Sequence, residues 1–354
     1  MNPSEEKSST GFQLVNRAGC RGYIGPLRHA RLILAFLFLY TTGIQGQERD
    51  RLPDPVRPEV ESTYQKGLAY LVETQTPEGC WKDRYGRYPG VVGFAIMAML
   101  AHGDDPNSGP YHRQIQQSLA FLLSKQNTAN GFIGDSMYNH GFATIALAEA
   151  YGTVDEDGLG LALKRATELI LTSQAQNPQG GWRYKPESKD ADTTVSGAQL
   201  VALLAARNAG IHVPDAAIDR GLAFLEACQS PGGGYGYSSP GSPNVPRTAI
   251  GLLVHALAHK RDAPGLDRSY KYLIQDLDYR DQTYPYYYEY YMAQALFQWD
   301  VATWEEWDRR NVRYLIENQA PDGSWSCSQG ETFATAAALL SMALNYRYLP
   351  IYER

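Results

Sequence analysis

The chain has 354 residues, enough for one large domain or two ordinary ones, and 44% of them are hydrophobic, which supports a substantial core. Its formal net charge at pH 7 is −6, and the sequence contains no basic stripe with interleaved aromatic residues. A surface of this charge is a poor match for nucleic acid, so a nucleic-acid partner is excluded.

Residues 1–46 have the pattern of a secretory signal peptide. Four arginines between positions 17 and 31 precede an apolar run at 32–40, and small or polar residues follow it. The run is short for a membrane span, so we predict cleavage near Gly46 and an extracytoplasmic mature protein, periplasmic or secreted. An uncleaved membrane anchor is the alternative. Cleavage would remove five basic and two acidic residues, which leaves 27 minus 36, a formal charge of −9.

Residues 47–59 are rich in proline and charge and are predicted to be a linker, after which residues 60–354 form one repeated domain. The repeated motif is a basic residue, an aromatic–aliphatic pair, a glutamine and then Gly-x-Trp. Its first copy begins at Lys66, and later copies follow at intervals of 51, 48, 55, 48 and 42 residues. In the second copy Phe132 stands in the tryptophan's place, and in the fifth Leu277 replaces the glutamine. Six copies at a near-fixed period predict a repeat architecture.

Each copy ends a helical pattern, and a loop then leads to a second, more apolar helix. The second helices are nearly free of charge and must be buried on most faces, whereas the first helices carry charge and should face solvent. The predicted second helices are Val91–Ala101, His140–Tyr151, Thr194–Ala209, Arg247–His259, Tyr290–Trp299 and Thr332–Asn345. Six such pairs predict an all-α fold, a six-repeat α/α toroid with two concentric rings of helices. The competing fold is an open solenoid of the tetratricopeptide kind, whose repeats are shorter, near about 34 residues.

Each motif copy resembles the QW motif of the terpene-cyclase and protein-prenyltransferase superfamily, the prenyltransferase/squalene-oxidase repeats. The resemblance covers roughly residues 60 to 350. It implies the toroid fold far more firmly than any reaction, because a fold does not fix a function.

The motif residues have a structural interpretation. The glycine permits a tight turn, the indole packs over a helix end while its N–H finds a backbone acceptor, and the glutamine satisfies exposed backbone groups. Cys80 lies in the first Gly-x-Trp loop, and Cys327 lies just beyond Trp325 in the last. If the ring closes, a disulfide between these two cysteines could clasp it in an oxidising compartment, and two free thiols are the alternative.

Asp190 and Asp192 lie in the segment Asp-Ala-Asp-Thr, just before the predicted second helix of the third repeat. The segment is similar to the Asp-x-Asp-Asp motif of squalene–hopene cyclases, and the resemblance implies that Asp192 is the catalytic acid that protonates an alkene, with Asp190 tuning its pKa. Thr193 departs from the motif's last aspartate, which puts the support of the acid in doubt. Asp192 is also a good helix N-cap, and the two roles are compatible.

A tyrosine-rich run from Tyr284 to Tyr291 leads into the predicted second helix of the fifth repeat. Tyr287, Tyr288 and Tyr291 are predicted to line the mouth of a cavity, with Glu289 among them as a second carboxylate. Aromatic faces stabilise cations and would suit a carbocation, and tyrosines also bind sugars. The alternative is that these side chains only pack the weakest repeat.

Two further residues are predicted to bind substrate. His140 opens the second of the apolar helices and could face the cavity, although a lone histidine is more often structural. Gln199, with Gln294 and Thr335 at matching depths, could form a polar ring.

No motif predicts a metal or a cofactor. The sequence lacks an Asp-Asp-x-x-Asp stretch, the Asp-x-Cys of zinc prenyltransferases and the thioester motif of complement-like toroids. We therefore expect a squalene- or terpene-cyclase-like protein whose central cavity takes a small apolar ligand, an isoprenoid, with acid-initiated cyclisation as its possible reaction. A non-catalytic secreted ligand-binding or scaffold toroid is the alternative, and a glycan-active toroid is a further one. A membrane surface is a further candidate partner, and the oligomeric state stays open.

Overall fold

The structure is a computed structural model that describes residues 56–352. The predicted signal peptide and most of the predicted linker lie outside these residues. The described chain contains twelve α-helices and two short 3₁₀-helices, and no β-strand. The α-helices are α1 (Pro58–Thr74), α2 (Pro89–Ala101), α3 (His112–Ser124), α4 (Met137–Ala150), α5 (Leu159–Ala175), α6 (Thr193–Asn208), α7 (Asp215–Ala227), α8 (Val245–Leu257), α9 (Leu266–Leu273), α10 (Pro285–Trp299), α11 (Val301–Asn318) and α12 (Glu331–Met342).

The even-numbered helices form a closed inner ring. Each of them packs against the next, and α12 packs back against α2. The odd-numbered helices lie outside and pack on the inner helices that precede or follow them. The prediction of a six-repeat α/α toroid is confirmed, and the open solenoid is wrong because the last inner helix returns to the first.

The difference in burial between the two rings follows from composition. Every residue of α2 is buried, from Pro89 to Ala101, because this helix carries no charged side chain and meets other helices on all sides. In contrast, α1 buries only one face, which includes Tyr64, Leu68 and Leu71, and none of its charged residues is buried. The predicted assignment of apolar helices to the inner ring is correct.

The tryptophans of the motif hold their own repeat together. The indole N–H of Trp81 donates to the carbonyl of Leu71 at 2.9 Å, and Trp182 and Trp325 donate to Ile170 and Leu315 at the same distance. In each case the acceptor is the aliphatic residue of the same motif copy, so the prediction of a backbone acceptor is confirmed.

The glutamines of the motif connect consecutive outer helices. Gln174 donates to the carbonyl of Ala217, near the start of the next outer helix, and also to Gly180 in its own loop. Gln319 donates in the same way to Thr63 in α1, at 3.0 Å, which closes the ring of links. In the fifth repeat, where Leu277 replaces the glutamine, an exposed ion pair between Asp278 and Arg310 spans the same boundary.

The glycines of the motif have positive φ angles and lie against the neighbouring repeat. Gly323 has a φ of 88°, and a Cβ atom there would lie 2.2 Å from the carbonyl oxygen of Lys66. The equivalent approach recurs where Gly79 meets Gln117 and where Gly233 meets Arg268. Glycine is therefore required both for the turn and for the close contact between repeats.

One motif position differs from the prediction. Ile133, not Phe132, occupies the tryptophan's place in the second repeat, because Ile133 is fully buried and pairs with Gln126 as Tyr235 pairs with Gln229. Phe132 is only half-buried.

Of the two alternatives for Cys80 and Cys327, the structure has two free thiols and no disulfide between them. Their sulfur atoms have other partners: the Cys80 Sγ lies 3.4 Å from the hydroxyl of Thr76, and the Cys327 thiol donates to Gln329. First and last repeats are joined instead by polar contacts, among them the backbone N–H of Thr332 donating to a carboxylate oxygen of Asp83 at 2.6 Å.

The carboxyl ends of the inner helices are covered by the last described residues. The 3₁₀-helix Pro350–Tyr352 packs on α6, and the backbone N–H of Ile351 donates to Glu149 at the end of α4. Ile351 and Tyr352 are both buried. No helix within residues 56–352 is long and apolar enough to cross a membrane.

We predict that Gly323→Ala destabilises the protein much more than Gly152→Ala. Both glycines have φ angles near +88°, but a Cβ atom at Gly152 would meet nothing within 4 Å. The Gly152 variant should cost only the backbone strain, about 1–2 kcal/mol, whereas the Gly323 variant must also push α1 away and should cost roughly 3 kcal/mol or more. Urea unfolding of both variants measures the difference, and equal losses would show that the contact between repeats adds nothing.

Candidate functional site

A cavity of 860 Å³ opens at the amino-terminal ends of the inner helices. All six of these helices contribute lining residues near their starts, namely Gly90, Tyr138, Thr194, Arg247, Tyr287 and Phe333. This position follows from the closed ring, which brings six helix starts around one opening.

The inner end of the cavity is aromatic. Phe94 lies one turn deeper than Gly90, and its ring centroid is 4.6 Å from that of Phe142 and 5.3 Å from that of Phe333. Tyr290 packs against Phe94 at 4.9 Å from the next layer inward. These four residues, the aromatic floor, fill the ring centre beneath the cavity.

The outer end of the cavity is polar and exposed to solvent. Tyr88, Tyr184 and Tyr284 line it and are exposed by 37%, 43% and 51%. Lining side chains with charge are Asp135, Lys185, Arg247 and Asp281. The cavity therefore has an apolar end and a polar end.

Asp192 is the N-cap of α6. Its Oδ1 accepts hydrogen bonds from the backbone N–H groups of Thr194 and Val195, both at 2.9 Å, and from the Thr194 hydroxyl at 2.5 Å. Its Oδ2 is buried without a hydrogen bond in the described chain, and the Arg183 Nε lies 3.5 Å away. Burial raises the pKa of Asp192, while these hydrogen bonds and Arg183 oppose the shift.

The two predicted catalytic aspartates are not a carboxylate pair. Asp190 is exposed and forms an ion pair with Arg183 at 3.6 Å, so the two aspartates share this arginine. The raised pKa of Asp192 is due mainly to burial, not to Asp190. Asp192 is fully buried and does not line the cavity, because Thr194 lies between them.

A chain of hydroxyl groups connects Asp192 to the cavity. The hydroxyl of Tyr138, which lines the cavity, donates a short hydrogen bond to the Thr194 Oγ1, and the Thr194 hydroxyl donates to Asp192. Tyr138, at the second position of α4, is not among the residues that the sequence pattern predicted for the site.

The predicted tyrosine run is part of a helix and not a segment leading into one. Asp281 accepts hydrogen bonds from the backbone N–H groups of Thr283 and Tyr284, and Pro285 then begins α10, five residues before the predicted start. Successive residues of a helix point about 100° apart, so one face alone can reach the cavity. That face contains Tyr284 and Tyr287.

The predicted residues of this run are thus separated. Tyr287 lines the cavity, and its hydroxyl is buried without a partner in the described chain. Tyr291 packs edge-on against Tyr287 at 4.9 Å, one turn deeper. Tyr288 and Glu289 do not line the cavity. Burial raises the pKa of Tyr287 well above its usual range, so the phenol stays neutral.

Glu289 is fully buried away from the cavity. Neither carboxylate oxygen accepts a hydrogen bond within residues 56–352, and its nearest cation is Arg280, with the Nε 3.8 Å from Oε1. Burial raises the pKa of Glu289 to about 8, and Arg280 opposes this shift.

His140 holds a loop and does not line the cavity. Its Nδ1 accepts from the backbone N–H of Ile133 at 3.1 Å, and its Nε2 donates to the carbonyl of Ala166 at 3.0 Å. Burial lowers the pKa of His140 to about 4, so the ring is neutral. Ser196, Thr248 and Thr335 accept from the backbone N–H of the motif's aromatic residue in the same way in their repeats. The structural interpretation of His140 is therefore the one its contacts support.

The predicted polar ring is absent. Gln199 donates to the carbonyl of Met137 at 2.8 Å and so ties α6 to the start of α4, and Gln294 donates to Tyr290 within its own helix. Neither glutamine lines the cavity.

Several lining tyrosines were missed by the sequence analysis. Tyr184 and Tyr237 each lie two residues after the motif's aromatic residue, Trp182 and Tyr235. An aromatic residue at this offset was the signal that could have found them. Within residues 56–352, no group of three His, Cys, Asp or Glu side chains is arranged to hold a metal ion.

We predict that Glu289→Gln stabilises the protein at high pH only. The unfolded chain releases this proton near pH 4.5 and the folded chain near pH 8, so the free energy of unfolding of the native protein falls as pH rises between these values. The variant lacks this loss. It should match the native protein below pH 5 and exceed it at pH 8.5 by on the order of a few kcal/mol.

Urea unfolding at both pH values measures this, with the exposed Glu317→Gln as the matched control that should change nothing. A pH-independent difference between the Glu289 variant and the native protein would contradict the assignment.

No protein-family model matches the sequence, and no curated protein matches it. Similar solved structures include the type II terpene cyclase MstE from Scytonema, at 17% identity and a TM-score of 0.59, over 82% of this chain and 99% of that one. The α-1,6-mannanase GH76A of Salegentibacter sp. HEL1_6 matches with 9% identity and a TM-score of 0.59, over 83% and 99%. A GH76 α-mannanase of Bacteroides thetaiotaomicron matches with 12% identity and the same TM-score, over 81% and 96%. The chain therefore has the α/α toroid fold found in both terpene cyclases and mannanases.

Proposed function

We propose that this toroid binds an isoprenoid with a polar end, in the cavity at the amino-terminal ends of the inner helices. The observation that carries the proposal is the division of one cavity into an aromatic floor and a rim of exposed tyrosines. An amphiphilic ligand would bury its hydrocarbon against the floor, where each methylene removed from water contributes about 0.8 kcal/mol. Its polar end would stay at the rim.

The size of the cavity supports a ligand of this kind. At 860 Å³ it lies within the range of about 300–1,000 Å³ that is usual for small-molecule sites. The neighbour MstE is described in complex with geranylgeranyl dihydroxybenzoate, which is itself an isoprenoid with a polar aromatic end. We also propose that the mature protein works outside the cytoplasm, as its amino-terminal pattern predicts.

A glycan is the competing ligand. The GH76 neighbour is described in complex with α-1,6-mannotetrose, and exposed tyrosines at the rim would suit a sugar. The aromatic floor favours the isoprenoid, because three phenylalanines facing one cavity offer a sugar no hydrogen bond. A purely structural scaffold role is not favoured, because the cavity above the aromatic floor is open.

We predict that the protein binds farnesol, and that Phe333→Ala weakens this binding about 10-fold or more while Tyr184→Phe changes it little. Phe333 forms part of the floor, and its loss removes aromatic contact with the hydrocarbon. Tyr184 lies at the rim, where only its hydroxyl would be lost. Equilibrium dialysis with quantification of bound farnesol gives both affinities.

A mannose tetrasaccharide is dialysed in parallel. If it binds while farnesol does not, and Tyr184→Ala removes that binding, the isoprenoid proposal is wrong and the glycan reading replaces it.

Acid-initiated cyclisation is a second candidate function, and the surroundings of Asp192 favour it. A carboxyl group whose Oδ1 accepts three hydrogen bonds and whose Oδ2 accepts none would hold its proton on Oδ2. In such a reaction this proton adds to a terminal alkene, the resulting cation closes rings, and a base then takes a proton from the last cation. Access opposes this function, because Thr194 separates the carboxyl group from the cavity. A neutral phenol such as Tyr138 is far too weak an acid to protonate an alkene in its place.

We predict that, if the protein cyclises isoprenoids, Asp192→Asn lowers product formation by about 100-fold or more, while Asp190→Asn leaves it nearly unchanged. Asparagine keeps the helix cap, so the folded state should persist, and circular dichroism checks this. Products from squalene and geranylgeraniol are measured by gas chromatography and mass spectrometry. Equal activity of both variants and the native protein would leave Asp192 with its capping role alone.

A further inference from the structure

Arg247 is a cation in the wall of the cavity that has no acidic partner. It lies in the first turn of α8, with its guanidinium 5.8 Å from the centroid of the Tyr237 ring. One terminal nitrogen donates to the carbonyl of Ser242 at 2.5 Å. Its Nε is buried and has no hydrogen-bond partner among residues 56–352, and no carboxylate of that part of the chain lies within ion-pair distance.

Arg183 is the contrasting case in the same region. It also stacks against Tyr237, at 5.1 Å, but it is paired with both Asp190 and Asp192. Both nearby aspartates are ion-pair partners of Arg183, whereas Asp192 acts on Arg247 only from beyond ion-pair distance.

The carboxylates that line the cavity are also occupied. Asp281 accepts from two backbone N–H groups and from the hydroxyl of Tyr279. Asp135 accepts from the side-chain amide of Asn139 at 2.7 Å. Each of them bonds within its own loop, and neither lies within ion-pair distance of Arg247.

A half-buried guanidinium with an unpaired N–H is costly unless something else pairs with it. Burial lowers the pKa of Arg247, but the group stays charged at any physiological pH. The missing counter-charge can come from a ligand, because Arg247 lines the cavity directly.

A second cation faces the same opening. Lys185 lines the cavity, its Nζ donates to the backbone carbonyl of Asp135 at 2.7 Å, and it has no carboxylate partner within the described residues. Both free cations lie at the polar end of the cavity, away from the aromatic floor.

We propose that the polar end of the ligand is an oxyanion, a phosphate ester or a carboxylate, and that Arg247 binds it, with Lys185 assisting from the rim. The inference rests on the proposed function and narrows it from any polar isoprenoid to an acidic one. The planar guanidinium offers the N–H groups of its other terminal nitrogen to an anionic oxygen, which makes a charge-assisted hydrogen bond.

The test compares farnesyl phosphate, farnesoic acid and farnesol, which share one hydrocarbon chain, by equilibrium dialysis. The native protein should bind one or both anions about 10- to 100-fold more tightly than farnesol. Arg247→Gln should remove most of this preference and leave the affinity for farnesol nearly unchanged, and Arg247→Lys should keep part of it. The exposed Arg313→Gln on α11 makes the same change of charge outside the cavity and should alter nothing.

The two anions distinguish a phosphate head group from a carboxylate head group, because the protein should bind the one that matches its natural ligand more tightly. Equal affinities for all three compounds, or a loss in Arg247→Gln that is the same for farnesol and the anions, would overturn the inference. Binding of inorganic diphosphate, which carries no hydrocarbon chain, tests the anion site at Arg247 separately from the isoprenoid proposal. If it binds in an Arg247-dependent way while no farnesyl compound does, the anion site stands and the isoprenoid proposal falls. If neither kind of compound binds, both proposals fall.

Discussion

The fold depends on one contact that recurs in five of the six repeats: a glycine of the motif loop lies directly against a backbone carbonyl of the following outer helix. Because the contact admits no Cβ atom, it fixes the distance between repeats, and the glutamine then fixes their angle by bonding to the same outer helix. A constant distance and angle make an array curve evenly. Here the curvature closes after six pairs, and Gln319 makes with Thr63 the link that the first four copies make with their successors.

Closure of the ring decides where a ligand can enter. The inner helices all run the same way, so their starts surround one opening and their ends surround the other, which the segment at Pro350–Tyr352 covers. Several polar side chains at the open end have a structural role, since Ser136, Asp192 and Asn244 cap the helices that follow them. At this end, a side chain that looks catalytic in the sequence often accepts hydrogen bonds from the free backbone N–H groups of a helix start. Only polar side chains that do not cap a helix in this way are free to bind a ligand.

This competition explains which parts of the molecule could be predicted from the sequence. The toroid was predictable, because its motif acts locally and recurs six times, so that an error in one copy, such as Phe132 for Ile133, changes nothing. The site was not. Whether Tyr287 or Tyr288 faces the cavity depends on where α10 begins, and the turn held by Asp281 leads to a start at Pro285, five residues earlier than the apolar pattern suggests. His140 looks like a cavity residue in the sequence, and only its position beside Ile133 reveals that it replaces the serine or threonine of other repeats.

Charge, more than shape, then separates the candidate roles of the site residues. Asp192 is buried beside Arg183, its Oδ1 accepts three hydrogen bonds, and it does not line the cavity, so it cannot contact a ligand there directly. Arg247 lies on the cavity with its charge unbalanced. Arg183 is paired with two aspartates outside the cavity, whereas Arg247 in the cavity wall has no carboxylate within ion-pair distance, so this wall has an electrostatic preference before any ligand arrives. That preference is for an anion at the rim, and the aromatic floor beneath it selects an anion that carries a hydrocarbon chain.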